Sequence, residues 1–179
     1  MRVITGTARG RRLQTLSGED VRPTTDRVKE AIFSSIQFEV EGRCFLDLFA
    51  GSGQMGIEAL SRGAKSATFV DSSEQALDVV ARNLRETGFT DRARLVKGEY
   101  ASFLLRTSER FDIAFLDPPY DSGLLPDALA RTEKVMREYG VILCEHSGVT
   151  ELPEAVGRFS AVRQYRYGKI FVTMYRKEA

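Results

Sequence analysis

The chain contains one histidine, two cysteines and no apolar run approaching the ~18 residues that a membrane span needs. Each scarcity removes a class of function. His146 has no partner set for a metal site or a catalytic triad, so it reads as a structural or solvent-exposed residue. Cys44 and Cys144 begin or sit within apolar, strand-like runs, where reduced and buried thiols are expected; this suits a cytoplasmic location better than a disulfide-stapled exterior. The first residues, Met1-Arg2-Val3-Ile4-Thr5-Gly6, lack the long apolar segment of a signal peptide.

With 179 residues, 42% of them hydrophobic and 28% charged, the chain can build the core of one soluble domain. The net charge is only +1, but it is unevenly spread. Residues 1–30 carry a net of +3 and residues 158–179 a net of +5, which leaves −7 on the middle of the chain. Basic chain ends are what a polyanion-binding face needs, because each phosphate contact releases counterions. Solvated surface charge is the plainer alternative.

Residues 1–14 read as a hairpin whose small, basic turn, Gly6-Thr7-Ala8-Arg9-Gly10, would approach a phosphate backbone closely. The loop Val21–Arg27 leads into a helix over about 24–38, with threonine caps and an apolar face of Val28, Ala31, Ile32 and Ile36. Strands and helices then alternate. Strands are expected at 44–49, 66–71, 93–97, 111–116 and 140–145, and helices at about 54–61, 72–87, 100–107 and 122–137. Ser72 with Gln75 reads as a capping box. A helical or turn stretch near 150–157 precedes two strands, about 159–166 and 169–175, joined at Gly168 as an antiparallel hairpin. The pattern predicts a parallel sheet covered by helices on both faces.

Two stretches carry chemistry. Asp117-Pro118-Pro119-Tyr120 ends the apolar strand Phe111–Leu116. Proline lacks an N–H and has a fixed φ, so two in succession stop a central strand and make a stiff turn. The turn sets the Asp117 carboxylate beside the Pro118 carbonyl, with the Tyr120 ring as a flat wall. That arrangement suits a planar group bearing an NH2; a structural corner with a solvated aspartate is the alternative. The second stretch, Gly51-x-Gly53-x-x-Gly56, lies between a strand and a helix, with Asp71 20 residues beyond Gly51. Alone, this loop does not separate NAD from S-adenosylmethionine. Three details favour the latter. Asp47 lies inside the preceding strand, placed to hold an ammonium directly or through water. Glu99 follows the third strand, placed to accept from an adenine amino group. The chain closes in a hairpin where a dehydrogenase would continue with a second βαβ half.

Asp47-Leu48-Phe49-Ala50-Gly51-Ser52-Gly53 with Gly56–Ala64 resembles the first motif of class I S-adenosylmethionine-dependent methyltransferases. Together with Arg22–Phe33 and Asp117–Tyr120, it resembles the RsmD family, which methylates the N2 amino group of a guanine in small-subunit (16S) ribosomal RNA. The resemblance covers essentially the whole chain and departs from the usual pattern at Gln54-Met55 and Glu99-Tyr100. It implies a Rossmann-like α/β fold with a seven-stranded, mostly parallel sheet in the order 3-2-1-4-5-7-6, the last strand antiparallel. A single domain is expected over 1–179, with residues 1–38 as an N-terminal hairpin-and-helix extension of the core at 39–179. The implied cofactor is S-adenosylmethionine, with no metal, held by Asp47, Ala50, Gly51, Gly53, Asp71, Ser72, Glu99, Tyr100 and Asp117. The implied catalytic group is Asp117, Pro118 and Tyr120, acting by direct in-line transfer. The implied partner is 16S rRNA or the assembling small subunit, met by a monomer with no membrane role. Arg9, Arg11, Arg12, Arg22, Arg27, Arg163, Arg166 and Lys169 are the candidates for RNA contacts; Arg22 and Arg27 alternatively brace the cofactor's carboxylate. Methylation of adenine N6 or of a protein glutamine remains open, as does a non-catalytic binding module.

Overall fold

A computed structural model describes residues 1–17 and 24–178. The element order is α1 (Asp26–Ser35), β1 (Cys44–Leu48), α2 (Gln54–Ser61), β2 (Ser66–Asp71), α3 (Glu74–Thr87), β3 (Ala93–Lys97), α4 (Tyr100–Arg106), β4 (Phe111–Leu116), α5 (Leu125–Glu133), β5 (Met136–Ser147), β6 (Ala155–Val156), β7 (Phe159–Tyr167) and β8 (Ile170–Lys177). They form one sheet in the order β3-β2-β1-β4-β5-β8-β7-β6. The first five are parallel, and β8, β7 and β6 run antiparallel to their neighbours.

Hydrophobic burial explains why β4 lies at the centre. All six of its residues are buried, as a parallel strand covered on both faces requires. One face packs Phe45, Phe69, Ile113, Phe115 and Leu143 against α1, α2 and α3; the other packs Leu46, Leu48, Ala114, Leu116 and Ile142 against α4 and α5. The order reverses between β1 and β4, and this switch point is where open α/β sheets bind ligands. The registers place Leu48 level with both Val70 and Leu116. The residues that follow β1, β2 and β4 therefore emerge along one edge.

Several expectations need correction. The sheet has eight strands rather than seven, because residues 155–156 pair with Phe159 and Ser160 across a turn at Gly157, whose φ is +53°. The helix expected to 137 stops at Glu133. Met136 pairs with Phe111, so Met136–Tyr139 join β5 through an irregularity in register although their residue types favour helix. Ser73, not Ser72, caps α3, its hydroxyl accepting from the Ala76 N–H. The capping-box reading was one residue early.

The N-terminal hairpin pairs Arg2 with Arg12, bonds Val3 to Arg11 and Gly10, and Met1 to Leu13, and is held against α2. Ser61 accepts from the Ala8 N–H and donates to the Thr5 carbonyl, and its own carbonyl accepts from Thr7. A Cβ on Gly6 would lie 1.8 Å from the Ser61 carbonyl oxygen, so the smallness of this turn serves packing on the helix end rather than approach to a phosphate. Cys144 is buried and Cys44 half-buried, both as free thiols. Burial pushes the Cys144 thiol up. His146 is buried too, its ring bonded to the Thr173 hydroxyl and the Ser147 carbonyl. Among the described residues no helix is long and apolar enough to cross a membrane.

Candidate active site

A cavity of about 1040 Å³ opens at the carboxyl edge of the sheet, over the ends of β1, β2, β3 and β4. Asp47, Ala50, Gly51, Asp71, Ser72, Glu99, Tyr100, Asp117, Pro118 and Tyr120 all line it. Of the residues expected at the cofactor and the catalytic turn, Gly53 alone does not. Its missing Cβ would instead sit 3.0 Å from Val80 and 3.2 Å from Phe69, so Gly53 lets the loop pack on α3 and β2. Its φ of +82° adds a conformational reason for glycine.

The glycine loop is not an anion cradle. The Gly51 N–H donates to Asp71, that of Gly53 to the Ala50 carbonyl, and that of Gly56 to Asp47. Every glycine donor of the motif is thus already used within the protein, and two of the acceptors are carboxylates. A pyrophosphate would meet acids where it needs free N–H groups. The wall suits a ligand without phosphate, carrying a cation, hydroxyls and an amino group.

Asp47 forms the floor, only 2% exposed. Burial raises its pKa to about 8; the Gly56 N–H opposes this rise and the charge of Asp71 adds to it. Asp71 is held by the Gly51 and Ser73 N–H groups at 2.9 Å each, an orientation that leaves its remaining lone pairs toward the cavity. Glu99 stands exposed at the rim. The Tyr100 hydroxyl is tied to Asp127 at 2.7 Å and its ring tilts against Phe49, with centroids 5.2 Å apart. Phe49 itself has φ +64°, a left-handed turn that breaks β1 sharply and is uncommon outside glycine.

At the other end of the cavity, Asp117 is half-buried. Its pKa is raised well above the usual carboxylate range, first by loss of water and then by the charges of Glu145 and Asp47. Glu145 was missed by the sequence reading. It is 3% exposed near the end of β5, accepts from the Thr24 hydroxyl at 2.9 Å and accepts from the Tyr120 hydroxyl at 3.2 Å. Thr24 in turn accepts the Gln54 amide through its carbonyl at 3.0 Å. The catalytic turn, the lead into α1 and the start of α2 are thereby joined. An acidic residue near the end of an apolar strand is the signal that drew attention to Asp71 and Asp117, and it was present at Glu145. Leu16 and Thr15 also line the cavity, brought there by Asn83, which pairs with the backbone of Gln14 and also donates to the Ser52 carbonyl. No local motif announces that contact.

The basic candidates separate. Arg9, Arg11 and Arg12 are exposed on the N-terminal hairpin and do not line the cavity; Arg9 follows Ala8, which is bonded to Ser61 at the end of α2. Arg163, Arg166 and Lys169 are exposed on the β7–β8 hairpin, where Arg163 lies over the Tyr165 ring. Arg27 lines a second cavity with Arg166 and is not among the residues that line the first. Arg22 lies outside the described residues.

Residues 1–176 match the family described as conserved hypothetical protein 95. The Ribosomal RNA small subunit methyltransferase D of Escherichia coli K12 is 34% identical over all of this chain and 91% of its own length. The chain belongs to the RsmD family. A second relative, the YlbH protein of Bacillus subtilis strain 168, is 41% identical over 99% of both chains. The solved structure of yhhF from Escherichia coli superposes with a TM-score of 0.88 at 33% identity, covering 100% of this chain and 98% of that one. The Rossmann-like methyltransferase fold expected of RsmD members is therefore the fold of this chain.

Proposed function

We propose that the chain transfers a methyl group from S-adenosylmethionine to the exocyclic N2 of a guanine in 16S rRNA. The observation that carries this reading is the placement of Asp117-Pro118-Pro119-Tyr120 in the same cavity as the glycine loop and the acids of β1 and β2. The donor set fits this cofactor: Asp47 for its ammonium, Asp71 for its ribose hydroxyls and Glu99 for its adenine amino group. When bound, it supplies an electrophilic methyl on a sulfonium.

The protein's own groups do the rest. Asp117 and the Pro118 carbonyl accept the two N–H bonds of the guanine amino group, drawing the nitrogen lone pair out of conjugation. Positive charge grows on that nitrogen during attack, so a fixed carboxylate binds the transition state more tightly than the ground state. With the cofactor bound, its methyl would pass to that nitrogen as the bond to sulfur breaks, and Asp117, whose raised pKa makes it a competent acceptor, would take the surplus proton. The Tyr120 ring stacks on the base while Glu145 holds its hydroxyl. A guanine N2 inside a duplex is out of reach of such a pocket, so the target is an unpaired or flipped base. Residues 1–38 act in this reading as an extension of one methyltransferase domain.

The deciding experiment is a tritiated-methyl assay on unassembled and partly assembled small-subunit rRNA, with nucleoside analysis of the product. N2-methylguanosine is expected; N6-methyladenosine, or no labelled nucleoside, overturns the reading.

Asp47 gives a separate check. Its folded pKa of about 8 exceeds the ordinary 3.8, so the folded protein holds a proton that the unfolded chain has lost between those values, and stability falls as pH rises through that window. A cationic ligand reverses the preference and expels the proton. Calorimetry at about pH 6.5 in buffers of different ionisation enthalpy is expected to show roughly one proton released on cofactor binding. Asp47→Asn is expected to release none and to flatten the decline in stability. Equal release by both proteins would remove Asp47 from the site.

A further inference from the structure

We infer that a second cavity, beside the first, binds the unpaired RNA nucleotide adjacent to the target base; the inference rests on the rRNA reading above. This cavity, about 510 Å³, lies between the start of α1 and the tip of the β7–β8 hairpin. Val28, Tyr167 and Ile170 give it an apolar and aromatic wall, Thr25 forms one side, and Arg27 and Arg166 bring two guanidinium groups. No acidic side chain is among its described lining residues.

Its position follows from chain connectivity and strand register. Thr24 lines the first cavity and Thr25 the second. Ile170 pairs with Ser147, two residues beyond Glu145 and therefore about 7 Å along the strand from the group that holds Tyr120. A strand of RNA with its target base against Tyr120 thus reaches the second cavity with a neighbouring nucleotide.

The chemistry selects a nucleotide over an apolar partner. Two guanidinium groups bind a phosphate, and a flat phenol beside aliphatic side chains takes a base without regard to its identity. The parts are pre-set. The Arg166 Nε donates to the Gly168 carbonyl at 3.0 Å while its guanidinium lies 5.5 Å from the centre of the Phe171 ring. The Tyr167 ring stacks against Tyr165 at an interplanar angle of 8°. The hairpin turns at Gly168, with φ +64°, and exposed Lys169 lies between the lining residues Gly168 and Ile170 in the chain.

The test compares the wild-type protein with R27Q/R166Q and, separately, Tyr167→Leu. The probe is an unmodified, fluorescently labelled transcript of the small-subunit rRNA. Anisotropy titrations across a salt series are expected to show R27Q/R166Q binding about tenfold more weakly, with the slope of log affinity on log salt reduced by roughly 1.4, the value for two lost single-strand phosphate contacts. Tyr167→Leu is expected to weaken binding about tenfold with the slope unchanged, as loss of a stacking surface requires. In turnover assays both losses fall on KM for RNA rather than on kcat, and the cofactor Kd does not move. An unchanged slope in R27Q/R166Q overturns the inference, as does a loss that appears equally in cofactor affinity. Methylation with unaltered RNA affinity in the variants rejects the second cavity and keeps the reaction. An arginine-dependent slope without any N2-methylguanosine rejects the reaction and keeps the cavity.

Discussion

Asp117→Ala is expected to lower kcat about 10³-fold while cofactor affinity stays within a few-fold, because the carboxylate acts on charge that develops only in the transition state. A mutant that keeps near-normal turnover sinks the role. Asp117→Asn keeps the shape and one acceptor but not the charge, and the same order of loss is expected. Stability is expected to move the other way. The folded pKa of Asp117 lies well above its ordinary value, pushed there by burial and by Glu145 and Asp47, so its ionised form opposes folding once pH exceeds the ordinary carboxylate range. Asp117→Asn removes that repulsion, and its thermal midpoint at neutral pH is expected to exceed that of the wild type. The same electrostatics set the pH profile. Asp117 accepts from the substrate only when ionised, so kcat/KM falls as pH drops through the raised pKa. Glu145→Gln removes the neighbouring charge that acts most on Asp117 and keeps one acceptor oxygen for the Tyr120 or the Thr24 hydroxyl, its NH2 facing the other. Its acid limb is expected at lower pH; an unmoved limb means that Glu145 does not act on Asp117.

Glu58→Ala is expected to cost roughly 3–5 kcal/mol of folding stability, read from urea midpoints. Glu58 is fully buried in α2. It accepts from the Ile4 N–H at 2.8 Å, the Thr5 N–H at 3.1 Å and the Arg62 guanidinium at 3.0 Å, and lies 3.9 Å from the ammonium of Lys29. Lys29 is itself fully buried, with its ammonium donating to the Arg2 carbonyl at 2.6 Å and lying 3.8 Å from Asp26. Truncating Glu58 strands that cation together with two backbone donors. Burial already lowers the pKa of Lys29, against the charges of Glu58 and Asp26. Where a base titrates lower in the folded state, the unfolded chain binds more protons and stability rises with pH. Losing Glu58 widens that window downward, so the variant is expected to recover part of its stability as pH rises above neutral. Glu58→Leu with Lys29→Met is expected to recover more than Glu58→Ala alone, since an apolar pair leaves no buried charge. A single variant within 1 kcal/mol of wild type contradicts this account.

The legible parts of the molecule were those whose physics is local. The alternation of apolar runs with helical periodicity from Cys44 to Glu145 located every parallel strand and its helix. Pro118-Pro119 ended β4 because two missing N–H groups and two fixed φ angles stop a strand wherever it lies. Ser72 and the helix end near 137 were misread because capping and strand pairing are settled by neighbours: Ser73 reaches the Ala76 N–H, and Met136 finds Phe111. Of the partners of Glu58 only Arg62, one helical turn on, was local; Lys29 and Ile4 lie 29 and 54 residues away and left no local sign.

For the site, the sequence alone determined which residue types stand at the strand ends, hence the acids of β1, β2 and β4 and the stiff Asp-Pro-Pro-Tyr turn. Only the tertiary structure decided what these residues bond to. It turned the three glycine N–H groups inward, to Asp71, Ala50 and Asp47, so a loop whose spacing alone fits NAD as well as S-adenosylmethionine is an acid-lined wall. It set Glu145 beside Asp117 and Tyr120, because parallel pairing of β4 with β5 aligns the ends of strands that are 28 residues apart between Asp117 and Glu145. It also put Arg27 and Arg166, 139 residues apart in the chain, on one cavity, while Gly6 and Ser61 hold the N-terminal turn on the end of α2. Spacing along the chain sets backbone periodicity; distances between side chains depend on which strands pair and in what register.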